Sequence, residues 1–264
     1  MKTIFKIILL SLVITSCSNS DNDINPNALL LRKVVSDGVE ILVSYNGNKI
    51  ERIETMSTND GLDETLFYYT GDLITKIEEY DGAILATLKR YQYDGQGNPV
   101  SFIDYNYNTK TSEKVILAYN LDGTLTYNLY KGNLVSQNNI SSRQSNATIT
   151  NGEITSLNEV DNTYSGSPSD KTYKLTYDNK NTPFKNILGY EKIILIDRNF
   201  NDYGINHNNV KEITIDNLSG ESYTSMTADI QYNSNNFPIN IEYMYKHAYN
   251  DTSISTYNIQ FFYE

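Results

Sequence analysis

The chain is predicted to be all-β: an antiparallel meander of about eight β-hairpin repeats forming a twisted, curled sheet, an open half-barrel or superhelical ribbon, with few helices. Three observations carry that prediction. An aromatic strand end followed by a turn recurs in VSYNGNKIERI from Val43, FYYTGDLITKI from Phe67, YQYDGQGNPVSFI from Tyr91 and LAYNLDGTLTYNL from Leu117, and the anchoring Tyr45, Tyr69, Tyr93 and Tyr119 recur at nearly constant spacing. A self-similar period between roughly 20 and 50 residues marks a repeat architecture. The strands leaving each turn alternate with period 2, as in Ile50, Arg52 and Glu54 against Glu51, Ile53 and Thr55, which is the pattern of a half-buried strand. No segment after Ser16 sustains a capped apolar helical period.

Taken from the amino terminus, Lys2 and Lys6 precede the apolar run Ile7 to Ile14, which is too short to span a bilayer. The run ends Ile14-Thr15-Ser16-Cys17, and Cys17 is the sole cysteine among 264 residues. This segment resembles the lipobox of Gram-negative lipoproteins. The resemblance implies removal of residues 1–16, a diacylglycerol on the Cys17 sulfur and an acylated new amino terminus. Several acyl chains hold firmly where one is marginal, at about 0.8 kcal/mol per buried methylene. Ser18 after the cysteine resembles lipoproteins sent to the outer membrane, and the acidic SNSDND stretch resembles signals for the cell surface. Residues 17–28 then read as a lipidated tether, polar and broken by Pro26. The stretch Ser18 to Asn27 reaches at most about 35 Å at about 3.5 Å per residue. Residues 29–264 read as one repeat domain.

Within that domain each unit runs from an alternating strand into Asn, Asp or Gly turn positions and out through a second strand, which makes one hairpin. Beyond Leu117 the units continue as ITNGEITSL from Ile149, LTYDNKNTPFKNI from Leu175 and IQYNSNNFPINIEY from Ile230. Pro99, Pro183 and Pro238 fall at or just after turns, where a missing amide donor does least harm. The terminal IQFFYE from Ile259 reads as the first strand of one more unit. Val135 to Asn151, Asn158 to Lys171 and Asp197 to Asn209 read as irregular insertions, the places where repeat scaffolds carry recognition loops.

YQYDGQGNPVSFI and LTYDNKNTPFKNI resemble the YD repeats of Rhs-type proteins, from about residue 40 to the end. Only Tyr93-Asp94 and Tyr177-Asp178 keep the Tyr-Asp pair. The resemblance implies a continuous hairpin meander that curls as its strands twist. In that family dozens of units enclose a cargo, and eight or nine units are too few to do so.

Removing residues 1–16 takes away two lysines and no acid, leaving 19 bases against 32 acids, a charge of −13 on 248 residues. So negative a surface repels phosphate backbones, and nucleic acid is excluded as a partner. Hydrophobic residues are 39%, with 23 tyrosines supplying apolar bodies with polar tips. His207 and His247 stand far apart in the chain without a neighbouring cysteine, so no metal site is expected. Tyr164-Ser165-Gly166-Ser167-Pro168 lacks a nucleophile frame. Asp60-Gly61-Leu62-Asp63-Glu64 and Asp94-Gly95-Gln96-Gly97-Asn98 lack the oxygen ligands of a calcium loop and read as turns. No catalytic residue and no cofactor are expected. Tyr91 with Tyr93, Tyr105 with Tyr107, and Tyr243 with Tyr245 are each two apart, so each pair points one way and forms a row that either lines the buried side of the sheet or meets a ligand. The expected protein is a lipid-anchored, non-catalytic binding module of the outer membrane, exposed at the cell surface, whose partner is a glycan or a protein. The alternative is a structural component of the outer envelope with protein contacts alone.

Overall fold

The computed structural model describes residues 28–57, 61–161, 169–197, 208–217, 220–246 and 253–264. His207 and His247, the leader and the tether to Asn27 lie outside the described residues. Among the described residues, sixteen antiparallel strands follow one another. The first eight are β1 (Leu31–Ser36), β2 (Val39–Asn46), β3 (Lys49–Ser57), β4 (Gly61–Thr70), β5 (Leu73–Asp81), β6 (Ile84–Tyr93), β7 (Pro99–Asn106) and β8 (Thr111–Tyr119). The rest are β9 (Thr124–Asn133), β10 (Asn139–Thr150), β11 (Glu153–Asp161), β12 (Ser169–Tyr177), β13 (Val210–Asn217), β14 (Ser222–Tyr232), β15 (Pro238–Tyr245) and β16 (Ser255–Tyr263). A short helix, α1 (Tyr190–Ile196), lies between β12 and β13.

Each strand pairs with its neighbours in sequence, and β16 also pairs with β1, closing the sheet into a sixteen-stranded barrel. The meander is as expected, but the open half-barrel or ribbon is corrected to a closed ring. IQFFYE is indeed the first strand of another unit, and its second strand is β1 from the other end of the domain. Leu31 stands opposite Tyr263, while Leu30 and Glu264 exchange backbone hydrogen bonds of 2.9 and 3.0 Å. A closed ring leaves no unpaired edge for another chain to add to.

The eight units share one register. The equivalent cross-strand pairs at the turn ends of the hairpins are Tyr45 with Ile50, Tyr69 with Ile74, Tyr93 with Pro99, Tyr119 with Leu125, Ile149 with Ile154, Tyr177 with Val210 and Tyr232 with Pro238. Tyr263 with Leu31 completes the set. A one-residue bulge lies beside this pair in every unit except that of β8 and β9, and such bulges sharpen the twist that lets a sheet close.

Alternation then sorts the side chains. Val43, Phe67, Ile77, Phe102, Leu117, Leu157, Met226, Ile241 and Phe261 point inward and are buried. Each fully buried aliphatic or aromatic side chain contributes roughly 1.5–3 kcal/mol. Outward the wall is charged: Lys33 pairs with Glu40, Arg52 with Glu54 and Glu64, Lys76 with Glu78, and Lys174 with Asp216. A membrane-crossing barrel carries an outward apolar band instead, and one Lys or Arg at mid-bilayer costs about 2–4 kcal/mol. These charged pairs run along the outer wall where such a band would lie.

Two expected insertions are corrected. Most of Val135 to Asn151 is β10, and the described residues of Asn158 to Lys171 are the ends of β11 and β12, because Ser, Asn and Thr alternate along an outer wall as readily as charges do; residues 162–168, and residues 198–207 of the third expected insertion, lie outside the described residues. The unit at Leu175 is also redrawn: Pro183 and Phe184 do not open its second strand, which is β13. What intervenes enters the barrel as a plug. Thr182, Pro183, Ile187, Tyr190, Ile193, Ile194 and Ile196 are buried within it. The plug passes the β4–β5 turn at Gly189, where φ is 72° and an added Cβ would lie 2.5 Å from the Asp72 carbonyl oxygen. Only a glycine passes there without displacing backbone.

Candidate functional site

The tyrosines that mark the repeat form a belt at one end of the barrel. Each reaches across the seam to the preceding hairpin: the hydroxyls of Tyr45, Tyr93, Tyr119, Tyr177 and Tyr263 donate to the carbonyls of Leu31, Ile74, Pro99, Ile154 and Pro238 at 2.6–3.1 Å. Two units vary this. Tyr69 donates to Leu188 of the plug and accepts from the Ile50 amide, and Tyr232 bonds the Asp178 carboxylate. Burial pushes the Tyr45, Tyr69, Tyr93 and Tyr263 hydroxyls well above the ordinary phenol range, so they stay neutral donors. Asp94 is fully engaged in its own turn, accepting from the Gln96 and Asn98 amides, and this holds its carboxyl below the usual range.

Above the belt, at the level of the end of α1, the lumen turns polar. Asp197, which follows α1, is wholly buried. Its carboxylate accepts the Tyr91 hydroxyl at 2.8 Å and lies 3.6 Å from the Lys89 ammonium. Lys89 also meets Glu79 at 2.7 Å. Burial alone would lower the Lys89 pKa, but Asp197 and Glu79 hold it above its ordinary value. The Tyr127 hydroxyl donates to the Leu195 carbonyl at 2.8 Å, a second pin between wall and helix. Tyr91 stacks on Phe102 with ring centroids 5.1 Å apart.

Beside this pin lies a cavity of about 240 Å³ between the barrel wall and the end of α1. One side is apolar, with Phe102, Val115, Leu129 and Ile196; the other presents Asp104, Glu113, Arg143 and Asp197. Asp104 and Glu113 stand opposite each other on β7 and β8. Arg143 meets Glu159 at 2.6 Å and Glu113 meets Lys131 at 3.6 Å, and the half-exposed Glu113 and Arg143 side chains (52% and 46%) connect the cavity to solvent. The Asp104 carboxyl is raised to about 6, first by burial and then by Asp197, Glu79 and Glu113, with Lys89 opposing. Its Oδ1 is buried without a hydrogen-bond partner among the described residues. A buried acceptor of this kind is strongly stabilised by any donor that reaches it.

The tyrosine rows divide between these surfaces. Tyr91 and Tyr243 are buried in the lumen, and Tyr93 and Tyr245 are half-buried there. Tyr105 stands opposite Leu88 on the outer wall, and Tyr107 follows β7 in the turn. Of the six, Tyr91 comes nearest the cavity, stacked on one of its lining rings and bonded to Asp197. Lys89, Asp104, Arg143 and Asp197 were not foreseen. Lys89 was readable, since LKRYQY puts it in phase with Tyr91 and Tyr93, a cation on the apolar face of its strand.

No family model matches the chain, and no curated protein matches it. Among solved structures it is similar to a porin-like protein from Bacteroides uniformis, at TM-score 0.52 and 14% identity over 89% of this chain and 96% of that one. A porin-like protein from Bacteroides vulgatus aligns at TM-score 0.47 and 14% identity over 89% of this chain and 99% of that one. The first likeness is one of barrel fold.

Proposed function

We propose that this is a non-catalytic binding protein of the outer membrane, held by lipid on Cys17, that takes a monosaccharide-sized, hydroxyl-rich ligand into the lumen of a water-facing barrel. The observation that carries the reading is the cavity beside Asp197, where an apolar wall headed by Phe102 faces three carboxylates and a guanidinium. Small-ligand sites pair an apolar lining with a few converging polar groups. The unpaired Asp104 oxygen accepts from a sugar hydroxyl, while Phe102 offers a ring to the sugar's apolar face.

The orientation supports this reading. The chain enters β1 at the tyrosine end, and Glu113 and Arg143 open toward the opposite end. An anchor at Cys17 therefore turns the mouth away from the bilayer. A channel role is disfavoured, because the plug fills the lower lumen with Ile187, Tyr190, Ile193 and Ile194 and the wall is charged outside.

Glycan-array and calorimetric binding with the purified full chain test the proposal. Ligands are expected to bind the parent protein and to be lost in both Arg143→Ala and Asp104→Asn. No binding above background, or binding untouched by either change, refutes it. The alternative, a structural component that contacts other envelope proteins, is favoured by one observation: Met56, Leu62, Ile84, Val135, Ile140 and Ile254 are exposed around the mouth end. Capture of an envelope protein that Val135→Asp with Ile140→Asp abolishes would favour that second reading.

A further inference from the structure

Seven of the eight units carry tyrosine at the turn-proximal pair, and the fifth carries Ile149. The backbone shows what the tyrosine does. At the seven seams entered by a tyrosine, the ladder between hairpins stops two residues short of the partner of that pair: at Lys33, Arg52, Lys76, Ser101, Ser156, Glu212 and Asn240. The aromatic ring occupies the gap. At the seam between β9 and β10 the ladder runs on to Thr124 opposite Thr148, past Leu125. Without a ring to hold them apart, the strands zip together.

Zipping the backbone does not fill the volume a ring takes up. A cleft of about 290 Å³ lies at this seam, walled by Tyr119, Leu125, Ile149 and Leu195 and edged by Glu191 and Lys192 of α1. The turn glycines Gly123 and Gly152 line its outer side, and a Cβ built on Gly123 would meet nothing within 4 Å, so the entrance is open. The volume is near the lower end of small-molecule sites, roughly 300 Å³.

We propose that this cleft is a second binding site, distinct from the lumen, for a small molecule with a single aromatic ring. The occupant is specified by the barrel itself: at the sister seams the corresponding space, beside an apolar residue such as Ile50, Pro99 or Ile154, holds a phenol ring. Because the backbone pairing at this seam reaches Thr124, recognition rests on the ring face against Tyr119, Leu125, Ile149 and Leu195 rather than on a hydroxyl bond across the seam. The site lies at the tyrosine end and the lumenal cavity faces the other way, so the two are occupied independently.

The probe is p-cresol, the tyrosine side chain as a free molecule, titrated into the purified full-length protein while backbone amide resonances are recorded. Saturable shifts are expected at Gly123, Leu125, Ile149 and Gly152, with a Kd of about 1 mM for so small a ligand. Ile149→Tyr supplies the ring internally and is expected to weaken p-cresol at least about tenfold. Tyr177→Ile opens the equivalent cleft at the next seam and is expected to add a second set of shifts at Ile154. The proposal is overturned if the parent protein shows no saturable shifts at the four residues, if a folded Ile149→Tyr binds as well as the parent, or if a folded Tyr177→Ile gains no second site.

Discussion

Replacing Asp104 by Asn removes one negative charge from the lumen without changing its shape, and the direction of the effect on stability follows from the surroundings. Facing the carboxyl are Lys89, which favours its charge, and Glu79, Glu113 and Asp197, which oppose it, while burial opposes it most. Its pKa of about 6 in the folded barrel stands against 3.8 for the ordinary carboxyl. At about 1.4 kcal/mol per unit, ionising it inside the barrel costs roughly 3 kcal/mol. Partial exposure and screening reduce that to about 1.5 kcal/mol. Because the folded pKa is the higher one, the cost is absent below about pH 4, grows as pH rises from 4 to 6, and is complete above about 6. Asp104→Asn is therefore expected to stabilise the protein by about 1.5 kcal/mol at pH 7.5 and to match the parent at pH 4. Urea unfolding followed by circular dichroism at intervals across that range reads the difference directly. A variant less stable than the parent at pH 7.5, or a gain that does not change with pH, would show that Lys89 and a ready water supply satisfy Asp104.

The seam bonds predict that Tyr93→Phe and Tyr177→Phe each cost about 1 kcal/mol, whereas Tyr105→Phe on the outer wall stays within about 0.5 kcal/mol; thermal unfolding of the three separates a structural belt from decorative aromatics. Gly189→Val puts a side chain against the Asp72 carbonyl. It is expected to destabilise the barrel by about 3 kcal/mol or more and to expose residues 182–197 to limited proteolysis, while an unaltered digestion pattern would mean that the plug enters by another path. Cys17→Ser is expected to move the protein from the membrane to the aqueous phase of a detergent partition, given the charged outer wall. Retention in the detergent phase would contradict that wall facing water.

The meander was legible because its signal is local. An aromatic, a turn and an alternating strand sit close together in the chain, and Tyr45, Tyr69, Tyr93 and Tyr119 repeat them at nearly constant spacing. Ring closure was not legible, because it depends on β1 and β16, at opposite ends of the domain, completing a hairpin that no turn joins. The plug was hidden for a different reason. Its buried run IILI is a short apolar stretch, which periodicity cannot distinguish from a strand. LTYDNKNTP also imitates a turn so well that it points to a second strand at Pro183, whereas that strand begins only at Val210.

The candidate sites follow the same division. Each strand presents one face to the lumen, so Lys89, Asp104, Glu113, Arg143 and Glu159 were placed inward by parity as firmly as Tyr91 was. That parity leaves unsaid which of them meet, since Asp104 and Lys89 come from one hairpin while Arg143 and Glu159 come from another and Asp197 comes from the plug. The cleft at Ile149 inverts this relation. A degenerate copy of a repeat is visible in the sequence as a weak match, and structurally it marks a place where seven neighbours carry a ring and one does not. In a barrel whose seams are held by one repeated side chain, the position that breaks the repeat is where an outside ring finds room, and so the least regular unit is the more informative one for binding.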